Sequence, residues 1–133
     1  MGDNFKQVKI VRPTITVDTV AYANGDCVGG IITLTGALAF TRPTLLRSVT
    51  LAEAGGQSPP LSLVFFRATP AGGTYTDNSG VAFSAADITN FLTVVRIAAA
   101  DWYVPSGDTS AFVAKGDIVV ACDGLTTSNN LFM

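Results

Sequence analysis

The sequence contains no histidine among its 133 residues. Histidine is the commonest general base and a frequent zinc ligand, so its absence removes Ser-His triads and most zinc sites. Charged residues are also scarce, at 14% against about 25% in an ordinary soluble domain, and the formal net charge is −2. A basic surface that follows a phosphate backbone is therefore not expected. Composition disfavours an enzyme and a nucleic-acid-binding protein, and we expect no cofactor and no metal.

Long apolar runs are missing as well, although 48% of the residues are hydrophobic and the mean hydropathy is +0.42. A membrane-spanning helix needs about 20 consecutive apolar residues, and runs such as residues 63–66 and 97–100 are far shorter. We therefore expect no membrane association. The chain length predicts a single domain, since a domain usually has about 150 residues.

Long straight side chains, which populate exposed helices, are rare. Nine of the ten acidic residues are Asp, and Glu53 is the single Glu. Polar and apolar residues instead alternate with a period of two, between turns rich in Gly, Pro, Asn and Asp. This pattern predicts an all-β fold, a single-domain β-sandwich or jelly-roll-like structure over residues 14–133. The predicted strands are 5–11, 14–20, 30–35, 45–52, 61–67, 91–97, 111–114 and 117–122.

One short helix is predicted among the strands. Ser84 is a suitable N-cap, and Asp87 follows three residues later in the capping-box position. The helix is expected to run to about Phe91. It makes only one or two turns, so the fold class stays all-β.

Residues 1–13 are predicted to form an extended N-terminal arm. Lys6, Lys9 and Arg12 stand among strand-like residues, and Pro13 restricts Arg12 to extended conformations. We expect the arm to add a strand to a neighbouring subunit. Lys6, Lys9 and Arg12 are thus candidate interface residues.

Two predicted strands, 45–52 and 61–67, have apolar residues on both faces. A strand of this kind is covered on both sides, and in a single-domain sandwich part of the cover must come from another subunit. At the chain end, residues 131–133 look like the first residues of a further strand. Either they dock into a neighbour or the last strand is incomplete.

Few residues are candidates for chemistry. Cys27 and Cys122 are the only cysteines and lack C-x-x-C spacing, so we expect small buried side chains, with a disulfide between them as the alternative. Trp102 and Tyr103 form the densest aromatic spot. Packing at a strand end or a subunit contact is favoured for them over glycan binding. We name them as further candidate interface residues.

Three features of the chain resemble small structural proteins in the virions of tailed bacteriophages. The first is a Tyr-x-x-Gly-Asp-x-Val-Gly-Gly turn before a strand, at residues 22–30. The second is a Leu-x-Leu-x-Phe strand at residues 61–65, and the third is an Asp-Asn turn at residues 77–78 that leads to a short capped helix. The resemblance extends over residues 14–122 and brings no active-site residue with it.

The resemblance implies a virion component. Together with the low charge and the two-sided strands, it favours a capsid decoration (cement) protein, a trimer bound to the major capsid protein. Such a protein lies on the outer surface of the capsid and is assembled in the host bacterial cytoplasm. The alternative is a receptor- or glycan-binding module of a phage fibre or tail that uses Trp102 and Tyr103, and an enzyme is the third choice.

Overall fold

The computed structural model of the protein describes residues 8–38, 44–107, 109–116, 120–122 and 130–133, with the backbone alone for 120–122. All its strand ladders are antiparallel, so the predicted all-β fold with one short helix is confirmed. The elements are β1 Thr33–Leu34, β2 Thr44–Leu46, β3 Val49–Glu53, β4 Leu61–Phe66, α1 Ala85–Ile88, β5 Phe91–Ile97, a 3-10 turn Ala99–Asp101, β6 Ala111–Lys115, β7 Val120–Cys122 and β8 Leu131–Phe132.

The main sheet has four strands in the order β1-β8-β4-β5. β8 lies between β1 and β4, and Phe132 is paired with both Thr33 and Phe66. The strand expected near the chain end therefore forms within the chain's own sheet rather than on a neighbour. Two smaller ladders pair β2 with β7 and β3 with β6.

The single strand predicted over residues 45–52 is wrong, because it is divided into β2 and β3. Leu46 pairs with Val120, and Val49 pairs with Lys115. Residues 46 and 49 are three positions apart, whereas their partners, residues 120 and 115, are five positions apart. The partner segment of the same chain is therefore two residues longer. The two ladders are therefore out of register with each other. The sequence of the first strand alone contains no trace of this offset.

The strand predicted over residues 14–20 is also wrong. The first predicted strand, 5–11, is wrong for residues 8–11, and residues 5–7 lie outside the described residues. Residues 8–17 run without helix, strand, turn or bend. Alternating side chains favour an extended backbone, but a strand also needs a ladder partner. The chain is anchored here by side chains, with Val11 packed against the core.

The predicted helix start is confirmed. Ser84 is the N-cap of α1, and its hydroxyl oxygen accepts a hydrogen bond from the backbone N–H of Asp87 at 3.1 Å. The helix ends earlier than predicted, at Ile88, because β5 already begins at Phe91 and pairs with β4. Phe91, which the local pattern assigned to the end of the helix, instead pairs with β4.

The core has two clusters of buried side chains on one face of the β4–β5 pair, which we call the inner face. Leu63 packs against both clusters. The first cluster contains Leu34, Leu38, Phe65, Val95 and Leu131, and the second contains Ile97, Trp102, Ala111 and Val113. Among the described residues, Phe65 is the largest side chain that is fully buried, at 1% exposure.

Candidate interaction surface

Two of the three basic residues of the N-terminal arm can be placed, and both lie on the surface. Lys6 is outside the described residues, whereas Lys9 and Arg12 are both exposed. The Lys9 ammonium donates a hydrogen bond to the backbone carbonyl of Gly36, and Val11 contacts the first core cluster. These two contacts hold the described part of the arm against its own domain.

The two aromatic candidates have different environments. Trp102 is 9% exposed, belongs to the second core cluster, and its indole N–H donates to the carbonyl of Pro59 at 2.9 Å. Its ring therefore packs at a strand end, which was one of the two favoured interpretations, and offers no open face to a ligand. Tyr103 is 67% exposed, and its backbone forms a two-way bridge with Phe112. Tyr103 is thus available for contact with another molecule.

An exposed apolar surface lies on the other side of β4 and β5, their outer face. Here a groove of about 270 Å³, which we call the outer groove, is lined entirely by aliphatic and aromatic residues: Val64, Phe66, Phe83, Ile88, Phe91 and Val94. Val64 and Phe66 alternate along β4 with the inner-facing Phe65, because successive side chains of a strand point to opposite faces. The apolar pattern noted on both faces of strand 61–67 therefore corresponds to two separate surfaces, a core and a groove.

The lining of the outer groove is strongly exposed. Ile88 is 59% exposed, Phe83 47%, Phe91 46% and Val94 42%. The Phe66 ring forms the floor, 6.1 Å from the ring of Phe83 and 6.4 Å from that of Phe91. Adjoining exposed apolar side chains are typical of interaction sites, whereas isolated ones are ordinary.

A buried carboxylate holds one wall of the outer groove. Asp87 lies in α1 between Phe83 and Ile88, is 5% exposed, and accepts hydrogen bonds from the backbone N–H groups of Ala71 and Gly72 and from the hydroxyl of Tyr75 at 2.6 Å. The Tyr75 hydrogen bond, followed by the backbone N–H groups, holds the pKa of Asp87 well below its usual range. Burial and the same carboxylate raise the pKa of Tyr75 to about 12. The wall is fixed by a charged group that stays ionised at neutral pH.

The structure also joins two of the motifs that resemble phage virion proteins. The hydroxyl of Tyr22, the first residue of the glycine-rich turn, donates to Asp77 of the Asp-Asn turn at 2.8 Å. The same hydroxyl accepts from the backbone N–H of Asp18 at 2.6 Å, and the N–H of Gly29 donates to Asp77 at 2.7 Å. A second backbone connection runs from Asn78 N–H to the carbonyl of Cys27. We call this set of contacts the Tyr22–Asp77 clamp.

Gly29 shows why the turn needs glycine. Its φ is +79°, in the left-handed region, and a Cβ placed there would lie 2.6 Å from Cγ2 of Ile15. A side chain at this position would be strained by its backbone and would also collide with Ile15 of the N-terminal segment. The motif is therefore explained by backbone geometry rather than by a ligand.

Other candidates for chemistry remain isolated in the structure. Cys27 has a free, half-buried thiol that lies 3.6 Å from the carbonyl oxygen of Tyr75, and burial raises its pKa. The side chain of Cys122 lies outside the described residues. Within the described ranges no group of three or more Cys, Asp and Glu is placed to hold a metal ion, and no helix is long and apolar enough to cross a membrane.

Sequence reasoning missed most of the outer groove. It noted the apolar residues on both faces of β4, but Phe83, Ile88, Phe91 and Val94 come from segments that are separate from β4 in sequence. The signal was available in β5, where residues 94 and 95 are both Val although they point to opposite faces.

Comparison with protein-family models, with curated proteins and with solved structures finds no match for this chain. The resemblance to virion proteins therefore rests on the sequence features alone.

Proposed function

We propose that the protein is a structural component of a tailed-bacteriophage virion, a capsid decoration protein that acts as a trimer on the outer surface of the head. Its partner is the major capsid protein, and it is assembled in the cytoplasm of the host bacterium. In this function the protein performs no catalysis. It stabilises the shell by covering the contacts between capsid subunits.

The outer groove is the observation on which this proposal depends. Four of its six side chains are more than 40% exposed, and none of the six is charged. An isolated domain would leave this surface in water at a free-energy cost, because apolar area contributes about 25 cal/mol per Å² when it is buried. A protein that works in an assembly removes the cost when it binds.

The expected mechanism is the burial of apolar surface in many copies. A standard interface of ~1,600 Å² has a gross hydrophobic contribution of tens of kcal/mol, of which the entropy lost on association removes a large part. The remainder is repeated at each site on the shell. Many modest contacts then resist the pressure of packaged DNA.

A receptor- or glycan-binding module of a tail or fibre is the second candidate. Aromatic rings that bind sugars present an exposed face, but Trp102 is buried in the core and Tyr103 alone remains exposed. The structure thus favours this function less than a decoration function.

The number of copies in the virion separates the two functions. Virions of the source phage would be purified and the band of this protein compared with the major capsid band by quantitative gel densitometry. Hundreds of copies per particle are expected for a decoration protein. A handful of copies would instead place the protein in a tail or fibre and would overturn the proposal.

A further inference from the structure

We infer that the outer groove of one copy receives the exposed aliphatic side chains of the N-terminal arm, Val8 and Ile10, from a second copy of this chain. This inference deepens the proposed function, since it names the partner and the contact through which the subunits assemble. It rests on the part of that proposal that makes the protein a homo-oligomer.

The arm has exposed aliphatic side chains that match the apolar lining of the outer groove. Val8 is 89% exposed and Ile10 is 73% exposed, while the residues between and after them, Lys9 and Val11, contact the arm's own domain. In an extended chain alternate side chains point in opposite directions. Val8 and Ile10 therefore face away from the domain as a pair of aliphatic side chains that nothing in the described residues covers.

The arm cannot fill the groove of its own chain while it keeps these contacts. Val11 packs against the first core cluster, which includes Phe65 and Val95. Those residues are on the inner face of β4 and β5, whereas Val64 and Val94 line the groove on the outer face. The sheet separates the two surfaces, so an arm that enters the groove belongs to another copy.

The contact has a direction, because the arm and the groove are different surfaces. A head-to-tail contact of this type repeats until it closes a ring or grows into a filament. Closure after three subunits gives the proposed trimer. Each subunit then gives one arm and receives one arm.

The apolar area fits a ring better than an isolated pair. From the exposed fractions, groove and arm together bury on the order of 500 Å² of apolar surface, taking about 200 Å² for an aromatic and about 100 Å² for an aliphatic side chain. If about 57% of the interface is apolar, the total is roughly 900 Å². That is just under the ~1,000 Å² expected of a stable pair. Ring closure compensates because every subunit makes the contact twice.

Two substitutions separate the two sides of the contact. Val94→Arg places a charge in the groove, and Ile10→Arg places one on the arm. The control for the first is Val104→Arg, because Val104 is exposed to the same 42% as Val94 but does not line the groove. The control for the second is Val20→Arg, at a residue 62% exposed and farther along the chain.

The oligomeric state of each purified protein would be measured by light scattering behind size exclusion at micromolar concentration. The wild type and both controls are expected to be trimers. Val94→Arg and Ile10→Arg are each expected to be monomers, with the association midpoint shifted at least tenfold to higher concentration. Circular dichroism spectra equal to that of the wild type would show that the variants are folded.

Mixing the two variants provides the sharpest test. Val94→Arg retains an intact arm and Ile10→Arg retains an intact groove, so one head-to-tail contact can form between them but a ring cannot close. Because one contact is weaker than a closed ring, the heterodimer is expected in an equimolar mixture only at higher protein concentration than the wild-type trimer, and neither variant forms it alone. If Ile10→Arg remains a trimer while Val94→Arg is a monomer, the groove binds something other than the arm and the inference is wrong.

A wild type that is monomeric, or a Val94→Arg variant that remains trimeric, also overturns the inference. A monomeric wild type would also remove the trimer from the proposed function, but neither result decides whether the protein decorates the capsid, because the number of copies in the virion is measured independently. Conversely, a trimer built on this contact but present in a handful of copies per particle would leave the inference intact and refute the decoration function.

Discussion

Removal of one hydroxyl group tests the Tyr22–Asp77 clamp. Tyr22→Phe keeps the ring but deletes the oxygen that donates to Asp77 at 2.8 Å and accepts from the backbone N–H of Asp18 at 2.6 Å. A hydrogen bond contributes about 0.5–1.5 kcal/mol net, and one to a charged group about 1.5–3 kcal/mol. Asp18 is exposed, so water replaces its lost partner, and Asp77 retains the N–H of Gly29. The expected loss in the free energy of unfolding is therefore about 1.5–2 kcal/mol.

Urea denaturation would measure this loss at one fixed protein concentration, because oligomerisation makes apparent stability depend on concentration. Tyr103→Phe is the matched control: it removes the same hydroxyl from a side chain that is 67% exposed. Its effect is expected to stay within about 0.5 kcal/mol. Equal midpoints for Tyr22→Phe and the wild type would show that the clamp does not stabilise the fold, and the structural explanation of the Tyr-x-x-Gly-Asp motif would then be wrong.

Three further predictions concern the glycine turn, the buried carboxylate and the cysteines. Gly29→Ala is expected to lower the free energy of unfolding by about 1–3 kcal/mol in urea, because a left-handed backbone and a close neighbour both oppose the methyl group. The pKa of Asp87 is lowered in the folded state, so its stabilisation is present above the ordinary value of 3.8 and is lost as the pH falls below it. The Tm of the wild type should therefore drop on acidification below about pH 4. Asp87→Asn should lower the Tm at neutral pH and weaken that acid dependence. If the Tm of the variant fell with pH in parallel with that of the wild type, Asp87 would not be the source of the acid dependence. Replacing Cys27 and Cys122 together by Ala is expected to lower the free energy of unfolding by at most a few kcal/mol and to leave the oligomer intact. EDTA or reductant should not change the Tm of the wild type. A large fall in Tm with EDTA would reveal a metal ion, and one with reductant a disulfide.

Local sequence determined the fold class and the elements that depend on near neighbours. The scarcity of long straight side chains and the alternation of polar and apolar residues were sufficient for the all-β prediction. Ser84 was recognised as an N-cap, since its hydroxyl bonds to a backbone N–H only three residues away. The bounds predicted for β5 agree with the structure, and exposed and buried side chains alternate over its last four residues, 94–97.

Strand pairing could not be derived in the same way. Residues 14–20 have the pattern of a strand but no ladder. Residues 45–52 form two strands, whose partners lie 60 or more positions away in the chain and are separated by two extra residues. A strand exists only when a second segment supplies its hydrogen bonds, and the identity of that segment is a property of the whole fold. The periodicity of one segment therefore cannot predict which segment pairs with it.

The candidate interaction surface was likewise predictable only in part. The sequence indicated that apolar side chains outnumber what one core face of β4 can bury, and it predicted an extended arm. Only the tertiary structure decided that Trp102 is buried, that Tyr22 reaches Asp77, and that the outer groove combines side chains from β4, β5 and α1. Hydrophobicity is a property of each residue, whereas its burial depends on which distant residues the fold places beside it.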